Sequence, residues 1–296
     1  MRSLRLAPLA LAAALSLSLA ACGGGNDGGD TVAAPVDSPS FAAGSRMAEL
    51  AQAGTLKVGT KFDQPLFGLK GLSGEPEGFD VEIAKIVAAK LGIAADKIEF
   101  VEAVSANREP FLQQKRVDMV VATYTINDKR DMVIDFAGPY FQAGQDILVA
   151  KDNPKGITGP ETLKGKKTCS VSGSTPAETL MTKYGLTTAD LQLVDVYTKC
   201  RDALANGQVD AVSTDNVILS GYVDAAPEEF ELVGKPFTEE PYGIGIPEGQ
   251  EDFCAFINET LTEAVEDGSY EKAFKATAGK IIETVPSLPT ARGCDK

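Results

Sequence analysis

A chain of 296 residues with no histidine and a formal net charge of −14 excludes several functions at once. No Ser-His-Asp, Cys-His or histidine-based general base can be assembled from it, and neither a GxxxxGK[ST] phosphate loop nor a GxSxG elbow occurs. Such an acidic surface repels nucleic acid and anionic lipid headgroups, so nucleic acid is not an expected partner. It would repel an anionic solute as well, so an anion site here has to be a local cluster of cations working against the global field. Catalysis would rest on Lys, Glu, Asp or Tyr alone; no enzyme activity, cofactor or metal is expected.

Arg2 and Arg5 precede an apolar stretch from Leu6 to Ala20. It is too short and too N-terminal for a permanent membrane span, so residues 1–21 read as a signal peptide. The stretch runs into Leu19-Ala20-Ala21-Cys22, which resembles the lipobox of bacterial lipoproteins and implies a lipidated (palmitate-bearing) Cys22 as first mature residue. Ordinary signal cleavage near an Ala-x-Ala site is the alternative. Gly23 to about Ser40 is rich in Gly, Asp, Ser and Pro and has little to bury, so residues 22–45 read as a lipid anchor and flexible tether. The expected location is extracytoplasmic, with the membrane contacted through the lipid alone. Of five cysteines, setting Cys22 aside leaves Cys169, Cys200, Cys254 and Cys294, an even set that points to two disulfides in an oxidising compartment. Four cysteines allow three pairings; proximity in sequence favours Cys169–Cys200 and Cys254–Cys294.

Strand-like and helix-like runs then alternate, the pattern of an α/β architecture with largely parallel sheets. A strand over Leu56–Thr60 is followed by a helix from Asp80 to Leu91, with Ile83, Ile86, Val87 and Leu91 on one half-buried face. Strand Ile98–Val101 and helix Glu109–Lys115 follow. The segment from Asp118 to Phe141 begins as a buried strand (Met119 to Ala122) and turns polar at Thr123 and Thr125. Asn127 then caps a short helix with Arg130 in its first turn. Backbone N–H groups, hydroxyls and one guanidinium thus converge where a small carboxylate would be held; a surface loop with a solvated arginine is the plainer reading. Strand Asp146–Lys151 leads out.

A second cycle runs through strand Lys167–Val171, helix Pro176–Tyr184, strand Gln192–Val196, helix Lys199–Asn206 and strand Asp210–Val212. FLQQKRVDMVVATYT in the first cycle echoes CRDALANGQVDAVSTDN in the second, which indicates two lobes on one plan. Phe230–Val233 reads as a strand, Tyr242–Ile246 as a strand crossing back, and Glu251 to about Ala278 as one long helix with a core-facing stripe. The expected lobes are residues 46–151 plus 243–296 and residues 152–242, with a hinge at crossings near Lys151 and Pro241. Ligands of open α/β sheets bind beyond the carboxyl ends of the strands, so one ligand would lie between Thr123–Arg130 and a facing set of Ser172 to Thr175 and Asp215.

Five segments occur in order: GFDVEIAK (Gly78 to Lys85), DMVVATYTINDKR, IDFAGPYF (Ile134 to Phe141), VSGST (Val171 to Thr175) and VDAVSTD (Val209 to Asp215). With them the chain resembles the family 3 extracellular solute-binding proteins of ABC transporters from about Leu56 to Gly279. It looks most like the glutamate-binding lipoproteins of actinobacteria, through GTKFDQP, SANR, CSVSGST and the paired cysteines of the second lobe. The resemblance implies a two-lobed, periplasmic-binding-protein-like type II fold with a two-strand hinge. It implies capture of free L-glutamate or L-aspartate, with asparagine and glutamine left open, and delivery to ABC permease subunits. A sensor lipoprotein feeding a signalling pathway and a dehydratase on the same fold are the alternatives.

The roles it implies are specific. Arg130 and the backbone around Thr125 would hold the α-carboxylate, assisted by Thr123 and by Ser174 or Thr175 in the run Ser172, Gly173, Ser174, Thr175. Asp215 would take the ammonium, and Lys61 and Arg108, with Ser105 beside them, the side-chain carboxylate. Each has a competing reading: Asp215 as a helix cap, Arg108 paired with Glu109 or Glu102, Lys61 drawn away by Asp63. Ser105 stands where many relatives place a stacking aromatic, leaving Phe62, Phe67 or Tyr124 as candidates for that role.

Overall fold

The computed structural model describes residues 33–72 and 74–294. The expected signal peptide, Cys22 and the first part of the tether lie outside the described residues. The later part of the tether is laid against the domain: Val36 N–H donates to the Ala89 carbonyl at 2.8 Å, and Phe41 packs edge-on against Phe256 at 5.6 Å between centroids. The reading of residues up to 45 as free tether is corrected for the described part, because Ala33 and Phe41 pack against the core and Ser45 caps α1.

The chain opens with α1 (Arg46–Ala53), which Ser45 caps by accepting from Ala48 N–H, and then β1 (Leu56–Thr60). Three short strands, β2 (Asp63–Gln64), β3 (Gly68–Lys70) and β4 (Pro76–Glu77), form a small antiparallel sheet. Helix α2 (Phe79–Lys90) follows. Its burial departs from the expected single face: nine of its residues are buried, because the sheet, the small sheet and two later helices enclose it. Next come β5 (Ile98–Glu102), α3 (Arg108–Gln113), β6 (Met119–Val120), α4 (Asp128–Asp131) and β7 (Asp135–Ala143).

The second half contains β8 (Gln145–Ala150), β9 (Thr168–Val171), α5 (Thr175–Thr182), β10 (Leu191–Val194), α6 (Tyr197–Ala205), β11 (Ala211–Asp215), α7 (Asn216–Ala225) and β12 (Phe230–Leu232). Strand β13 (Glu240–Ile246) then returns to the first sheet, followed by α8 (Glu251–Glu266) and α9 (Ser269–Ala276). The single long helix read from 251 to 278 is broken at Asp267–Gly268, where glycine at φ 80° leaves the helical region.

Two five-stranded sheets carry the lobes, in the orders β5-β1-β6-β13-β7 and β10-β9-β11-β8-β12. In each, the fourth strand (β13, β8) pairs antiparallel with both its neighbours and the other four strands share one direction, so the sheets are mixed and flanked by helices. The echo seen in the sequence is real at this level, since β6 and β11 occupy the same central position. Strand β8 pairs with β11 and β12, so the residues read as the exit of the first lobe belong to the second. The crossings lie at Gly144 and at Thr238–Glu240, and the boundary expected at 151 moves back accordingly. Cys169–Cys200 (S–S 2.07 Å) joins β9 to α6, and Cys254–Cys294 (S–S 2.01 Å) ties the tail to α8; these are the pairs that proximity favoured.

Candidate functional site

The carboxyl ends of β1, β5 and β6 face those of β9, β10 and β11, and the polar residues just beyond each strand meet between the lobes. Thr123 follows β6 with φ 43°, and its N–H donates to Asp80 Oδ2 at 2.7 Å. Its hydroxyl donates to Gln64 Oε1 at 2.9 Å. On the facing lobe Ser174 caps α5, accepting from Ala177 N–H at 3.1 Å. Asp215 closes β11 at the position before α7 and makes no side-chain cap bond to that helix. The capping alternative for Asp215 therefore does not hold.

The cavity between these ends has a volume of only about 10 Å³, and it is lined by Ser105, Arg108, Thr123 and Thr125 from one lobe and Ser174, Thr175, Tyr197 and Asp215, among others, from the second. Seven of the residues read from the sequence thus share one cavity. Lys61 lies one bond behind it, its ammonium donating to Ser105 Oγ at 2.8 Å. Arg130, Ser172 and Gly173 line a larger outer groove at the cleft mouth. The Ser172 N–H donates to the Val194 carbonyl at 2.9 Å.

The cations are held in unusual company. Arg108 is 2% exposed and donates to the carbonyls of Ser105 (3.3 Å), Ala122 (3.1 Å), Thr123 (3.3 Å) and, across the cleft, Gly173 (3.4 Å). Its guanidinium lies over the Tyr124 ring at 4.1 Å. None of these partners is a carboxylate, so pairing with Glu109 or Glu102 is replaced by carbonyl dipoles and a π face. Burial, and then the Arg130 charge, lower its pKa to about 10.

Arg130 takes the Glu109 carboxylate on Nε at 3.1 Å, leaving its other nitrogens for the carbonyls of Thr125 (2.6 Å) and Gly173 (3.0 Å). Lys61, 3% exposed, is lowered to about 7 by burial and then by Arg108, with Asp63 opposing. Asp63 does not draw Lys61 away; its carboxylate accepts backbone N–H groups of the other lobe.

Asp215 is 3% exposed. Its Oδ2 accepts the Tyr242 hydroxyl at 2.6 Å, and its Oδ1 has no partner. Burial, and then the nearby Glu240, raise its carboxyl to about 8, against the opposing pull of the Tyr242 hydroxyl and the Arg108 and Arg130 charges. Glu240, absent from the sequence reading, is held by the hydroxyls of Thr175 (2.7 Å) and Thr238 (2.7 Å).

None of the three candidate aromatics lines the cavity. Phe67 is packed against Phe79, Phe141 and Tyr242, Tyr124 lies beneath the arginines, and Phe62 carries Lys70. The aromatic on the cavity wall is Tyr197, which the sequence reading missed. A signal existed: Tyr197 follows β10 as Ser105 follows β5, each just beyond the carboxyl end of an edge strand.

A cleft presenting buried cations, one carboxylate and several hydroxyls to a small enclosed volume is suited to a small zwitterion. Known proteins agree. The chain is 35% identical over 291 residues to the glutamate-binding protein GluB of Corynebacterium efficiens, covering 95% of this chain and 93% of the relative. It is 41% identical over 219 residues to the ABC transporter glutamine-binding protein GlnH of Bacillus subtilis, covering 73% and 78%. Among solved structures, an ancestral arginine-binding protein bound to glutamine superposes with a TM-score of 0.70 at 37% identity, over 76% of this chain and 97% of that one. These relatives are named as binding proteins, not enzymes. Residues 56–279 match the bacterial extracellular solute-binding proteins, family 3, and the chain belongs to that family.

Proposed function

We propose that the protein captures an acidic amino acid, L-glutamate or L-aspartate, outside the cytoplasm and hands it to an ABC permease, anchored through a lipid on Cys22. One observation carries the ligand class: Lys61, Arg108 and Arg130 converge on the same interlobe cleft as Asp215, whose Oδ1 has no partner. In this reading the ammonium goes to Asp215 and the α-carboxylate to Arg130, Thr125 and the α5 N-terminus. The distal carboxylate goes to Arg108, Lys61 and Ser105. Hydrogen bonds to charged groups contribute roughly 1.5–3 kcal/mol each, and a buried cation left without an anion costs several. That arithmetic favours glutamate over glutamine, although relatives are named for both.

A cavity of about 10 Å³ has room for about one water, so an amino acid enters only when the lobes part at Gly144 and Thr238–Glu240. The bonds from Arg108 and Arg130 to the Gly173 carbonyl are then free to be exchanged for ligand oxygens. Calorimetric titration with glutamate, aspartate, glutamine, asparagine and arginine tests the reading. Glutamate or aspartate should bind most tightly; tighter binding of arginine or glutamine would overturn the acidic preference.

A further inference from the structure

We propose that Asp63 is a positioning residue that latches the lobes together by capping, from the first lobe, a helix of the second; the proposal rests on the amino-acid binding assigned to the cleft. Helix α6 has no cap of its own, since its N-cap residue is Val196, which makes no side-chain bond. An uncapped helix leaves its first backbone N–H groups without intrahelical partners. Two of them, those of Tyr197 and Thr198, donate to Asp63 Oδ2 at 2.7 and 3.3 Å. The Asp63 carbonyl accepts the Thr198 hydroxyl at 3.3 Å and the Tyr222 hydroxyl at 2.8 Å.

Two residues on, the Pro65 carbonyl stands 2.9 Å from where a Cβ on Gly221 would lie, so any side chain at 221 would hold the lobes apart. The negative end supplied by Asp63 also complements the helix dipole. Asp63 belongs to β2, on the small sheet of the first lobe, whereas α6 and α7 belong to the second. These contacts therefore exist only when the lobes meet. Contacts made in one of two states shift the equilibrium toward it by their differential free energy, so the latch slows ligand release without touching ligand. It also ties together two parts of the site: Lys61 lies two residues before Asp63, and Tyr197, whose N–H is capped, lines the cavity.

The test uses the full chain with Asp63→Ala, Asp63→Asn and Tyr222→Phe. Stopped-flow release of glutamate and the ligand-free radius of gyration from X-ray scattering are measured for each. One helix cap corresponds to roughly a 5- to 30-fold change in an equilibrium. Asp63→Ala should release glutamate faster by that factor, and its ligand-free form should be more expanded than wild type. Asp63→Asn, which keeps an acceptor, should restore most of the effect. Tyr222→Phe removes one latch bond while leaving the charge beside Lys61, and should show a smaller change in the same direction. Equal release rates and equal radii for wild type and Asp63→Ala would overturn the proposal, as would an Asn variant as fast as the Ala variant. If wild type bound no amino acid, the functional reading would fail separately. The ligand-free radii would still judge the latch: a more compact wild type supports it and equal radii refute it.

Discussion

Asp215→Asn probes the ammonium end of the site and comes with a worked pH signature. The Asp215 carboxyl is raised to about 8 by burial and Glu240, so without ligand it keeps its proton below that pH. An incoming ammonium needs the ionised form, and binding must expel the proton. Each pH unit below 8 therefore costs about 1.4 kcal/mol of binding free energy, set against roughly 1.5–3 kcal/mol for a hydrogen bond between charged groups. At pH 8 the Asn variant should bind roughly 10- to 150-fold more weakly, and the gap should close as pH falls to 6. Glutamine is the cleaner ligand for this measurement, because its amide has no charge to couple to Lys61. Calorimetry in two buffers of different protonation heat should show wild type releasing close to one proton per glutamine near pH 7 and Asp215→Asn releasing none. Equal affinity at pH 8, or an equal proton count, would refute the assignment of the ammonium to Asp215.

Lys61 titrates with the opposite sign: its pKa is lowered to about 7, so its ammonium is lost as pH rises through that value. The ratio of glutamate to glutamine affinity should fall between pH 6 and 8, and Lys61→Met should flatten the dependence; an unchanged profile would remove Lys61 from the distal site. Arg130→Ala should abolish binding of every amino acid in the titration panel, whereas Arg108→Ala should mainly erase the preference for acidic ones; normal binding by both would show the site to be misassigned. Gly173→Ala should impair closure, since a Cβ there would lie 2.8 Å from the Ala106 Cα and the φ of +77° disfavours a side chain; scattering should find the saturated variant more expanded than saturated wild type. Replacing Cys169 and Cys200 opens a loop of 31 residues, which in the chain-entropy account costs about 4 kcal/mol; denaturant unfolding would measure it, and a loss below 1 kcal/mol would contradict that account.

The local chemistry of the cleft was legible because each residue sits at the end of an element whose pattern is itself legible. The apolar run Met119–Ala122 ends in Thr123, Asn127 caps α4 by accepting from Arg130 N–H at 2.9 Å, and Val209–Asp215 repeats the plan. Strand-to-turn transitions place hydroxyls and charges beyond carboxyl ends whatever the rest of the chain does. The extent of burial of α2 was not legible, since it depends on what packs around it; the helix break at Gly268 had a local signal, the glycine itself, that the reading passed over. The lobe boundary was misplaced because Asp146–Ala150 reads as a strand in either lobe; only pairing with β11 and β12 assigns it.

By itself the sequence determined the alternation of strands and helices, the doubled plan of the lobes and most of the charges that meet in the cleft; among three possible cysteine pairings it favoured, by proximity, the one the structure makes. These follow from periodicity, spacing and side-chain chemistry, which are local properties. The tertiary structure decided which charge faces which. It turned Asp63 away from Lys61 toward the bare end of α6, and it paired Arg130 with Glu109. It set Arg108 over Tyr124 among carbonyls, brought Glu240 behind Asp215, and put Tyr197 on the cavity wall. Those relations join residues from 16 positions apart, Arg108 with Tyr124, to 159 apart, Tyr222 with Asp63. No local pattern encodes them, because the partner is chosen by how two lobes close and not by what lies nearby in the chain.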